Sequence, residues 1–111
     1  MPVFVSLGRY TESAIKGLLA KPEDRNAVVK KIVEQAGGKL LAWYMLFGEY
    51  DYVVIAEYPT SKECAAVELA VAGAGIVTDM RTMLAMTGAE AKAAFEAGRG
   101  LGASYRAPGA S

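Results

Sequence analysis

The stretch Phe47-Gly48-Glu49-Tyr50-Asp51-Tyr52 is a polar turn between two apolar runs, Leu40–Phe47 and Tyr52–Ala56. Runs of that length joined by so short a turn read as antiparallel strands, so a β-hairpin must stand at the middle of the chain. Leu40–Phe47 carries no charge and has apolar side chains at both parities. That is the pattern of a strand covered on both faces.

The rest of the chain falls into place around the hairpin. Val3-Phe4-Val5-Ser6-Leu7 is short, β-branched and aromatic, which predicts a first strand. Thr11 caps a short helix that Pro22 interrupts, since the residue before a proline is pushed out of the α region. A second helical piece begins with Pro22 at its first position and Glu23 and Asp24 in its first turn. Its apolar face is Ala27, Val28, Ile32, Val33 and Ala36, and Gly37-Gly38 ends it in a left-handed cap. After Pro59, Thr60 or Ser61 caps a helix to about Ala72, stopped by Gly73-Ala74-Gly75. Ile76–Met86 reads as the last strand. Thr87-Gly88-Ala89-Glu90 has capping-box spacing, predicting a terminal helix over Ala89–Ala97. From Gly98 the composition turns to Gly, Ala, Ser and Pro, that of a mobile tail. The expected organisation is one domain over residues 1–97 with a flexible tail over 98–111.

The order is βαββαβ with an extra C-terminal helix. Its simplest closed form is an α+β ferredoxin-like fold, a four-stranded antiparallel sheet with its helices on one face. The other face is then open. Trp43 and Met45 alternate with Tyr44 and Leu46, so the second strand presents large apolar groups there. Hydrophobic residues make up 53% of the 111, an excess for a small domain that points to apolar surface covered by another copy.

Twelve basic and twelve acidic residues cancel, which leaves no field to draw in nucleic acid or an anionic membrane. The single cysteine, Cys64, excludes an internal disulfide and suits a reducing compartment. The Met-Pro-Val-Phe-Val start has no signal-peptide pattern, and Leu69–Val77 is far short of the roughly 20 residues a membrane span needs. These features predict a soluble cytoplasmic protein.

The Gly48-Glu49-Tyr50-Asp51 turn between its two strands resembles the GYD-domain family of small bacterial proteins. The likeness extends to Leu7-Gly8-Arg9-Tyr10-Thr11, to Gly37-Gly38-Lys39 and to the Thr82–Thr87 end of the last strand, covering roughly residues 2–97. The resemblance implies a dimeric α/β barrel in which the sheets of two chains stack face to face. It implies no particular reaction. The wider barrel superfamily holds small isomerases, cofactor-free monooxygenases, haem enzymes and ligand-sensing regulatory domains, so fold alone does not choose among them.

The chain contains no histidine, which removes the commonest general base and metal ligand and any histidine-held haem. Acid–base work would fall to Asp, Glu, Tyr, Lys or a terminal amine. No metal or cofactor is expected. Asp51 has two readings. It accepts backbone hydrogen bonds of the turn while Gly48 supplies an unusual φ, or it joins Tyr50 in a site at the barrel mouth. Asp79 and Arg81, two apart on a strand, share a face and are either anion-binding groups or ordinary edge charges. Ser6, Arg9 and Tyr10 raise the same question on the first strand. Met80, Met83 and Met86 alternate faces, so packing rather than metal binding is expected of them. Cys64 reads as a buried small apolar group. Pro2 would become a prolyl-amine base if Met1 were removed, as in the tautomerases that also begin Met-Pro.

The leading expectation is a homodimer or higher homo-oligomer with a cleft between the stacked sheets. Trp43, Tyr44, Tyr52 and methionines line it, and Ser6, Arg9, Tyr50, Asp51 or Arg81 orient a small apolar or aromatic molecule for sensing or cofactor-free proton transfer. The alternative is a non-enzymatic oligomeric interaction module with that interface filled, and a tautomerase-like isomerase using Pro2 is the minor one.

Overall fold

In the computed structural model, which describes residues 1–110, eight elements follow one another. They are β1 (Val3–Tyr10), α1 (Glu12–Ala20), α2 (Arg25–Gln35), β2 (Lys39–Met45), β3 (Tyr52–Glu57), α3 (Ser61–Gly73), β4 (Val77–Ala85) and α4 (Gly88–Gly102). The strands form one antiparallel sheet in the order β2-β3-β1-β4. With α1 and α2 as one helical stretch broken at Pro22, this is the ferredoxin-like βαββαβ arrangement with an added helix. Among the described residues, no helix is long and apolar enough to cross a membrane.

Local chemistry explains the boundaries. Thr11 caps α1, its hydroxyl accepting the Ala14 N–H at 3.2 Å. Thr60 and Thr87 each form a capping box, with Glu63 and Glu90. The N-cap of α2 is Asp24, which accepts the Asn26 N–H at 2.9 Å, so Pro22 and Glu23 lie before the helix and not in its first turn. A free carboxylate oxygen makes a better terminus than a ring with no side-chain acceptor. Gly37, at φ +84°, closes α2 in a Schellman motif: Gly38 N–H donates to Val33 O and Gly37 N–H to Glu34 O, each at 2.9 Å. Gly48 is not in the left-handed region, so the turn does not depend on glycine there.

β2 ends at Met45, before the expected Phe47, and Phe47 projects fully into solvent. Terminal helix α4 runs beyond Ala97 to Gly102, so Gly98, expected to begin the tail, is helical. Its capping box and its alanines carry the helix across two glycines that by themselves would favour coil.

The core lies between the sheet and helices α2 and α3. Val33, Cys64 and Val67 pack there with Ala56 and Tyr58. The opposite face has no helix over it. Cross-strand partners share a face, and the pairs Val5–Ile55, Leu7–Val53, Val5–Met83 and Tyr44–Val53 place these apolar side chains together on that open side. Tyr44 and Met83 are exposed in the single chain. β2 is therefore not covered on both faces by its own chain.

Helix α4 stands away from this body. The chain extends 64 × 31 × 22 Å with a radius of gyration of 18.1 Å, against about 13 Å expected for a compact chain of this length. α4 buries no residue, and Phe95 and Leu101 on it are exposed.

Candidate functional site

The expected site residues divide between the two faces of the sheet. Ser6, Val54 and Trp43 are successive cross-strand partners and point toward the helices. Leu7, Val53 and Tyr44 form the adjacent row and point to the open side, together with Arg81, the partner of Leu7 on β4. The expected cleft lined jointly by Trp43, Tyr44 and Tyr52 therefore does not exist as one surface. Trp43 and Tyr52 line a cavity on the helix side, and Tyr44 is on the other side. Neighbours on a strand point to opposite faces, so Trp43 and Tyr44 cannot share one surface; the register shift between Leu40 and Ala42, which leaves Leu41 unpaired, sets which of the two turns to the helices.

A second irregularity separates Asp79 from Arg81. β1 and β4 shift register between Leu7 and Arg9, leaving Asp79 and Met80 opposite Gly8, and Asp79 takes φ +51°. Two-residue alternation does not hold across this bulge. Arg81 is on the open face and also on an edge strand, its guanidinium donating to the carbonyl of Met80 at 3.1 Å. Met80 lines the helix-side cavity while Met83 faces the open side, so their sulfurs diverge as expected.

On the open side, at the end of β1, the Arg9 guanidinium sits over the Tyr50 ring, 5.4 Å from its centre, and lies 3.8 Å from Glu49. Asp51 does not join them as a free group. Its carboxylate accepts the Tyr10 N–H at 2.7 Å, and its own N–H donates to Gly8 O at 2.8 Å. Its carboxylate and N–H thus fasten the hairpin to β1, while its carbonyl accepts the Leu46 N–H at 2.8 Å across the turn. Pro2 is exposed, and its carbonyl accepts the Tyr58 N–H at 3.1 Å.

The helix-side cavity has a volume of about 240 Å³ between the sheet and α2 and α3. Most of its wall is aliphatic or aromatic. Its polar groups are Ser6, Tyr10, Arg25 and Glu68, together with the Tyr52 and Tyr58 hydroxyls. Glu68, on α3, is the hub: it accepts the Ser6 hydroxyl at 2.5 Å and also the Thr82 hydroxyl. Burial pushes Tyr52 up to about 12, and the Glu68 charge adds to the effect. Burial likewise raises Tyr58 to about 12 and Cys64 to about 11, Glu68 contributing to each. At neutral pH all three are uncharged, and Cys64 is a packed thiol with no activating base beside it.

Sequence reasoning missed Glu68 and Arg25. A signal for the first was present: Cys64, Val67, Glu68 and Val71 form one helical stripe, with a single carboxylate on its inward face.

The GYD-domain profile matches residues 4–95. The chain belongs to the GYD-domain family. This GYD-domain protein is also similar to a protein of Thermus thermophilus called "Glutamine synthetase and cystathionine beta-lyase binding protein". The two are 29% identical over 80 residues, 72% of this chain and 84% of the other. Among solved structures, the GYD-domain chain resembles that described as "crystal structure of FFRP-DM1", with a TM-score of 0.48 and 21% identity over 78% of this chain and 100% of that one.

Proposed function

We propose that this GYD-domain protein is a self-associating interaction module that docks onto a metabolic enzyme. The observation that carries the reading is the open sheet face, where Val5, Leu7, Val53, Ile55, Tyr44 and Met83 lie together without a covering layer. Removing a large apolar side chain from water contributes about 1.5–3 kcal/mol. A second copy stacked face to face would cover the whole row at once. The self-associating unit is the domain over residues 1–97, and Phe95 on α4 is a further exposed apolar side chain. The name of the Thermus relative supports enzyme partners, with glutamine synthetase and cystathionine β-lyase as the first to try. The lone reduced Cys64 suits action in the cytoplasm.

Sedimentation of the full chain tests the first half of the proposal. The expected species has twice the 11.7 kDa of one chain, and Ile55→Lys returns it to a monomer. A wild-type monomer at high micromolar concentration would sink the reading. Co-sedimentation with purified glutamine synthetase and cystathionine β-lyase tests the second half.

A second reading keeps a small-molecule site between the stacked sheets, for sensing or cofactor-free proton transfer. It is favoured by the Arg9 guanidinium held over Tyr50 at the open-side end of β1. Arg81 on the same face would supply a second cation at the rim.

A further inference from the structure

The helix-side cavity contains two polar groups that the protein leaves unmatched. The first is the charge of Glu68. Its carboxylate accepts hydroxyls from Ser6 and Thr82, but among the described residues no lysine or arginine forms an ion pair with it. The second is Arg25 at the start of α2. Its Nη1 is matched by Glu23 at 2.7 Å, while its Nε is buried without an acceptor. Both residues line the same space, with Trp43 and Tyr52 between strands and helices.

Glu68 is half-buried, and a carboxylate partly withdrawn from water beside apolar walls is attracted to a counter-charge more strongly than a fully solvated one. Aromatic faces favour the same sign of guest, because their π-clouds attract cations. The guanidinium charge at the other pole is already neutralised by Glu23, so what remains there is one N–H in search of an acceptor. Charge balance therefore selects a cationic guest over an anionic one.

We infer that this cavity is a binding site for a small organic amine. The ammonium pairs with Glu68 against the aromatic walls, the apolar body lies along the aliphatic side of α2, and an acceptor atom, where present, meets Arg25 Nε. A volume of about 240 Å³ falls below the roughly 300 Å³ at which drug-sized sites begin, which limits the guest to a compact molecule. The site lies within one chain, so it does not depend on the self-association proposed above.

Calorimetric titration of the full chain at neutral pH tests this with three probes of one shape: 2-phenylethylamine, 3-phenylpropanoate and 2-phenylethanol. The amine is expected to bind saturably, at least tenfold more tightly than the other two. Glu68→Gln keeps an acceptor for Ser6 and Thr82 but removes the charge, and should weaken the amine at least tenfold. Trp43→Leu, which leaves the polar network untouched, should weaken it as well and gives a second reading if E68Q folds poorly. Equal or tighter binding of the carboxylate would overturn the proposal. So would an amine affinity unchanged in both variants, or no binding of any probe in the millimolar range.

Discussion

The carboxylate of Asp51 accepts the backbone N–H of Tyr10 at 2.7 Å across 41 positions of sequence. This bond, with Asp51 N–H donating to Gly8 O, locks the central hairpin against β1. Asp51→Ala leaves the Tyr10 N–H without its partner and should lower stability by about 1–2 kcal/mol in urea unfolding. Asp51→Asn keeps an oxygen acceptor and should lose less. Equal losses in the two variants would mean that the charge matters more than the bond.

Gly8 is required by Tyr52. A Cβ at position 8 would stand 2.2 Å from the Tyr52 hydroxyl oxygen and 2.5 Å from the ring carbon bearing it. Gly8→Ala should therefore cost about 1–3 kcal/mol through overpacking. Tyr52→Phe should not rescue it, because the ring itself remains in the way. Full rescue, measured by thermal melting of the double variant, would show that only the hydroxyl is obstructed.

Asp79 occupies the left-handed region at φ +51°, where a side chain is disfavoured. Asp79→Gly should leave stability unchanged or slightly raised. Asp79→Val, with a branched side chain in the same geometry, should lose about 1–2 kcal/mol. Denaturant midpoints of the two variants compared with the parent decide the point.

Stability should fall steeply in alkali. Burial, aided by the Glu68 charge, lifts Tyr52 and Tyr58 from the usual 10 to about 12 in the folded chain. Between these values the unfolded chain has released protons that the folded chain still holds. The stabilising contribution is complete below pH 10 and is lost as pH rises through 12. Cys64, raised from 9 to about 11, starts the decline earlier and should react sluggishly with a disulfide reagent at neutral pH. Melting curves against pH should flatten in Tyr52→Phe and Tyr58→Phe.

Much of the fold was legible in local chemistry: the Thr11 and Thr60 caps, the Thr87–Glu90 box and the Gly37-Gly38 stop all rest on contacts between near neighbours. The site was legible only in fragments. Which side Trp43 faces depends on the bulge at Leu41, and whether Asp79 joins Arg81 depends on the bulge opposite Gly8. Nothing in a strict period of two announces an extra residue. Glu68 could be seen as a lone carboxylate on an inward stripe, but its partners Ser6 and Thr82 come from separate strands that only the folded sheet brings near. The Asp51–Tyr10 bond is hidden for the same reason.

The bulge at Asp79 also bears on the self-association proposed above. β4 is one of the two edge strands, and a straight rim of unpaired N–H and C=O groups invites a further strand to add on, then another, without end. A left-handed residue in that rim bends it away from any straight newcomer. In the self-association proposed above, this favours the broad side of the sheet over its border, and there two copies would use each other up. A molecule that sticks by its border grows into a fibre; one that sticks by its broad side stops at a closed pair.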